Sequence, residues 1–184
     1  MDHLEQQLQQ NPKLRIRMQN IERHTREVIN SSAKAVEGVI TIPVVFHVVY
    51  DTEAKNISDA QVQSQIDILY EDFRRINSDA GNTPADFQPV ASDIKIQFCL
   101  ASTDPNGQPT SGITRTETSV TSFGTNDDVK FNANGGKDAW PAADYLNFWV
   151  CDLSGDLLGY AQFPGTGTPA TDGVVCDYLY TGNN

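Results

Sequence analysis

No stretch of roughly 18 apolar residues occurs in this 184-residue chain, so it encodes no membrane-spanning helix. Cysteine is scarce. Cys99, Cys151 and Cys176 allow one disulfide at most and leave a thiol over. None belongs to a C-x-x-C pair, which excludes a zinc ribbon and a thioredoxin-type centre. The histidines, His3, His24 and His47, are too widely spaced for the i, i+4 pair that sets two imidazoles on one helical face. There is no G-x-S-x-G elbow and no P-loop. Positive charge is sparse as well. The 13 Lys and Arg face 24 Asp and Glu, a formal net charge of −11. So acidic a chain repels a phosphate backbone, which argues against nucleic-acid binding.

What remains is a globular composition, 39% hydrophobic and 20% charged, of a length that buries a core in one domain. The acidity is uneven. Residues 1–30 balance Lys13, Arg15, Arg17, Arg23 and Arg26 against Asp2, Glu5, Glu22 and Glu27, and the rest of the chain is strongly acidic. Met1-Asp2-His3 leads into a polar segment and not into an apolar signal sequence. A helix is expected over residues 2–30, with a break at Asn11 and Pro12 opening its second segment. Leu14, Met18, Ile21, Thr25 and Val28 form its stripe, which suits the body or a partner equally. Residues 31–40 read as a small, polar, protease-sensitive linker.

The body begins with a strand from Ile42 to Tyr50, apolar on both faces and therefore expected inside a sheet covered on both sides. Ser58 and Gln61 form a capping box, Ile57 staples onto Val62, and Val62, Ile66, Leu69, Phe73 and Ile76 stripe a helix ending near Asn77. Ile94 to Leu100 alternates as a strand with one wetter face. Strand, helix, strand predicts a right-handed parallel crossover. Residues 110–144 read as irregular. Strands follow at Tyr145–Leu153, Leu157–Phe163 and Asp172–Tyr180, close enough for at least one antiparallel pairing. The fold class is α/β (α+β), a mixed twisted sheet of about five strands with a backing helix.

Local chemistry is thin. His47, mid-strand, reads as structural, and the three cysteines as buried and inert. A nucleophile–base pairing of Cys151 or Cys176 with His47 has nothing to position it. The adjacent acids Asp127-Asp128 and Glu71-Asp72 diverge and read as solvated. No complete catalytic apparatus is present. The acidic residues show no loop with calcium-ligand spacing, and disulfide pairing stays open.

One combination of segments is distinctive. Tyr145-Leu146-Asn147-Phe148-Trp149-Val150-Cys151, Leu157 through Pro164, and Asp172-Gly173-Val174-Val175 join Lys137, Trp140, Pro141, Ile42 through Val48 and the helix at 59–77. Together, over residues 42–180, they resemble the catalytic domain of the pappalysin (cytophagalysin) family of metzincin zinc metallopeptidases. The resemblance implies a metzincin N-terminal subdomain over residues 37–184, preceded by a helical pro-segment remnant over 1–36. It implies a secreted, zinc-dependent endopeptidase acting on peptides and proteins, with no membrane or nucleic-acid partner. In that family, H-E-x-x-H-x-x-G-x-x-H supplies the zinc ligands and the general base. The chain reaches Asn184 before any such motif, so no metal or catalytic position is carried over. Calcium occurs in relatives but has no support here. The zinc-occupying cysteine of related pro-segments has no counterpart before Cys99. One element is carried over, the edge strand on which substrate pairs, matched by Leu158, Gly159, Tyr160, Ala161, Gln162 and Phe163. The expectation is a fragment cut at both ends and inactive by itself, its cleft face of the sheet bare and apolar. A stand-alone peptide-binding module and a non-catalytic inhibitor remain the alternatives.

Overall fold

The computed structural model describes residues 8–9, 11–31, 38–163 and 167–183. The helix α1 spans Pro12–Asn30, and the Asn11 side chain caps it by accepting the Leu14 N–H at 3.2 Å. The break expected at Asn11 is thus a helix start, and most of the stretch before it lies outside the described residues, as does most of the linker. Of the expected stripe, only Leu14 is buried; Ile21 and Val28 are each 47% exposed. The charged face carries i, i+4 pairs, Arg23 with Glu27 and Arg26 with Glu22.

The body is a six-stranded mixed sheet backed by one helix. The strand β1 spans Ile40–Tyr50, α2 spans Asp59–Phe73 and β2 spans Ile96–Leu100. The remaining strands are β3 (Ile113–Glu117), β4 (Leu146–Cys151), β5 (Gly159–Ala161) and β6 (Val174–Asp177). Central β1 is long enough to take two parallel neighbours on one side. Residues 40–44 pair with β2, and 46–50 with β3. On its other side comes β4, then β6, both parallel, and β5 closes the edge antiparallel to β6.

The strand β3 lies inside the segment expected to be irregular. Ile113-Thr-Arg-Thr-Glu117 has too little apolar content to read as a strand, and β1 supplies the order by pairing. The detour between β2 and β3 returns at Gly112, whose φ is +73° and whose missing Cβ would lie 2.7 Å from the Ala101 nitrogen. Only glycine fits so tight a left-handed approach.

Alternation along β1 feeds two cores. Val44, Phe46 and Val48 join Ile57, Val62, Ile66, Phe98, Phe148 and Val150 under α2. Val49 joins Phe123, Val129, Trp149, Cys151, Leu153 and Val175 on the opposite face. That second face is not bare. The loop carrying Val120, Phe123 and Val129 covers it, and Trp149, Cys151 and Val175 are fully buried. Irregular backbone thus covers the face opposite α2.

Ser58 caps α2 as expected, accepting the Gln61 N–H at 3.1 Å. The other half of the capping box does not form. The Gln61 amide instead donates to the carbonyls of Tyr178 and Thr181, and Gln65 and Ser64 accept from the Gly182 and Asn183 amides. One polar face of α2 therefore holds the segment after β6. Arg115 of β3 pins the front of the helix, bonding Asn56, the Ile57 carbonyl and Asp59.

Candidate functional site

His47 occupies the centre of the sheet, fully buried. Its Nε2 lies 3.0 Å from Asn147 Oδ1 and its Nδ1 2.8 Å from Thr114 Oγ1. The Asn147 amide accepts the Trp140 N–H at 2.7 Å and donates to the Trp140 carbonyl at 2.9 Å, which fixes its orientation. Since Oδ1 is the acceptor, His47 donates from Nε2, and Nδ1 accepts the Thr114 hydroxyl proton. Burial pulls the imidazole pKa down to about 4. Both nitrogens are consumed, so His47 is a structural histidine, as expected.

The cysteines are all free, but they differ. Cys151 is buried, Cys176 partly so, and burial raises both thiols, the opposite of nucleophile activation. Cys99 is exposed, against expectation. It shares the wetter face of β2 with Gln97, while Phe98 points into the core, so the strand's own alternation holds the signal. With His47 committed to Thr114 and Asn147, no cysteine–histidine pair is assembled. The adjacent acids diverge as expected. Asp127 turns to Lys130, and Asp128 takes amides from Asn126 and Asn134.

The predicted edge segment keeps its place. Among the described residues, β5 is the terminal strand on its side of the sheet and pairs only with β6. Asp177 donates to the Leu158 carbonyl at 2.9 Å and Gln162 to the Gly173 carbonyl at 3.4 Å, so residues 158, 160 and 162 face β6. Gly159 and Ala161 turn their N–H and C=O groups to the open side. Leu158 and Phe163 are each 53% exposed. Gly159 has a packing role of its own. A Cβ there would lie 2.7 Å from the Val175 carbonyl oxygen, so the close approach it permits is to β6.

Behind this edge lies a group that sequence reasoning missed. Lys130 is 1% exposed and ion-paired to Asp127 at 2.8 Å. The Tyr160 hydroxyl beside it is shielded from solvent and has no hydrogen-bond partner among the described residues. Burial and the Asp127 charge raise its pKa. The only sequence signal was the i, i+3 spacing of Asp127 and Lys130, which is too common to single out.

An antiparallel edge on a sheet of this topology makes comparison with solved structures informative. Mature mirolysin of Tannerella forsythia in complex with a cleaved peptide is 54% identical over 80% of this chain and 56% of its own, with a TM-score of 0.78. This chain is similar to mirolysin, a metallopeptidase. Mirolysin in complex with compound 9 matches at the same identity and coverage, with a TM-score of 0.77. A promirolysin mutant from T. forsythia is 47% identical over 97% of this chain and 59% of its own, with a TM-score of 0.84. The chain spans 56% to 59% of the length of these structures. No protein-family model and no curated protein matches it.

A metallopeptidase needs metal ligands. Among the described residues, no three His, Cys, Asp or Glu side chains are grouped to hold an ion. His47 has no nitrogen left to give. The residues in hand do not fit a zinc ion, and no catalytic step is derived through one. Among the described residues, no helix is long and apolar enough to cross a membrane.

Proposed function

We propose that this chain is the substrate-docking part of a secreted zinc metalloendopeptidase of the pappalysin type. Residues 1–36 belong to its pro-segment and residues 37–184 to its N-terminal subdomain. The observation that carries the reading is the lone antiparallel strand β5 at the open edge of a sheet, in a chain 54% identical to a mirolysin holding a cleaved peptide. An exposed edge offers unpaired main-chain groups, and an extended peptide adds to it as a further strand. In this chain Gly159 and Ala161 supply those groups, with Leu158 and Phe163 as apolar flanks. The division at residue 36 is supported by coverage. The pro form is matched over 97% of the chain and the mature forms over 80%, a difference about the size of the head.

Hydrolysis itself requires metal ligands and a general base, and no group able to hold a metal ion stands among the described residues. The chain of residues 1–184 is therefore expected to bind extended peptides at β5 and to cleave none. The test measures zinc by elemental analysis, casein hydrolysis, and amide shifts on titration with a casein-derived peptide. Shifts confined to β5 and its flanks, with no turnover, support the reading. Stoichiometric zinc with turnover by this chain alone, or peptide-induced shifts elsewhere in the sheet, overturns it.

A further inference from the structure

The strand β5 is short, held to β6 by three residue pairs and by one backbone bond just beyond each end. The structure supplies a second anchor from the opposite side. Lys130 closes the turn Asp128–Lys130, entered through Asp127 at φ +66°. Its buried ammonium donates to the Thr171 carbonyl at 2.7 Å and pairs with Asp127. It stands 5.0 Å from the ring centre of Tyr160 on β5 and 5.4 Å from that of Trp149 on β4. The Thr171 hydroxyl in turn donates to Gln162 Oε1 at 2.6 Å, just past the end of β5. One cation therefore grips the edge strand at two points, through the Tyr160 ring and through Thr171 to Gln162. Gly136 keeps the turn tight, since a Cβ there would meet the Val129 backbone at 2.1 Å.

Packing does not call for a charge here. A methionine would fill the same volume without the desolvation penalty of a buried ammonium. The cation adds direction: one carbonyl, one carboxylate and two ring faces, held at fixed positions. We propose that Lys130 is a positioning residue for β5, the buried cation that holds the edge strand at the geometry in which an extended peptide adds to it. The inference rests on the reading of β5 as the docking edge.

Hydrogen exchange on the full chain tests the anchor, and binding of a dye-labelled casein peptide tests its consequence. In Lys130→Met, exchange at Tyr160 and Gln162, whose amides face β6, accelerates by about tenfold or more while β1 and β4 keep their protection. Peptide affinity falls by a similar factor. Thr171→Val keeps the carbonyl that accepts from Lys130, removes the hydroxyl's bonds to Gln162 and Thr168, and gives a smaller acceleration in the same residues. It decides the matter if Lys130→Met fails to fold. Exchange at β5 within threefold of wild type in every variant that folds overturns the proposal. Faster exchange in Lys130→Met, with a wild-type chain that binds no peptide, supports the anchor and overturns the docking reading.

Discussion

Two polar side chains on the same face of the sheet, His47 and Tyr160, illustrate opposite solutions to burial. His47 meets both of its hydrogen-bonding needs, through Thr114 and Asn147, and stays neutral. Its pKa of about 4 makes it a pH-dependent element of stability. An unfolded histidine takes up a proton near pH 6.5, whereas the buried one resists until about pH 4. Between those values the unfolded chain binds more protons, so stability rises with pH across the window. The contribution is complete above pH 6.5 and lost as pH falls through 4, amounting to about 3 kcal/mol. Urea unfolding at pH 4.5 and 7 checks this, and His47→Gln is expected to flatten that part of the profile. Tyr160 is the contrasting case, with its hydroxyl buried and unpartnered. Removing an unsatisfied buried group is neutral or favourable. Tyr160→Phe is therefore expected to hold or raise the unfolding free energy, by up to about 1 kcal/mol, in the same urea assay.

At the level of strands and helices, the long apolar ones were readable and the short polar ones were not. β1 and β4 declare themselves by apolar residues on both faces, and α2 by its cap at Ser58 and its stripe. β3 could not be read, because Thr114, Arg115 and Thr116 carry no burial pattern and only the second half of β1 gives them a partner. The Gln61 half of the capping box failed for a similar reason. Its amide finds two buried-side carbonyls after β6, and these outcompete its own helix start. β5 lies within the strand expected over Leu157–Phe163. Gly159→Ala would push a methyl against the Val175 carbonyl. The expected cost is about 1–3 kcal/mol by urea unfolding, with faster amide exchange at Tyr160 and unchanged protection in β1.

Across the whole chain, the head and the body are unequal partners in stability. Most apolar side chains of α1 stay in water, with Ile16 57% and Ile29 74% exposed, and Leu14 is the one buried residue of that helix. The body keeps its two cores on the faces of one sheet, each built without the head. A chain starting at Gly38 is therefore expected to unfold cooperatively within a few degrees of the full chain in a thermal melt. A drop of more than about 10 °C would show that α1 is integral to the fold. The same arrangement answers the expectation of a bare second face. The loop through Phe123 and Val129 covers it, and loop positions of that kind carry no periodicity from which covering could be read.

The edge position of residues 158–163 was implied by the family resemblance, while the amino-acid sequence alone determined the kind of fold, the central strand and the backing helix. These rest on local pattern: alternation, 3.6-residue spacing and a capping serine, each legible from neighbours in the chain. The tertiary structure alone decided the tautomer of His47, the existence of β3 and the burial of Lys130. Each depends on a group distant in sequence, such as Asn147 for His47 or Thr171 for Lys130. Desolvation and hydrogen bonding act through space, and one-dimensional spacing records neither.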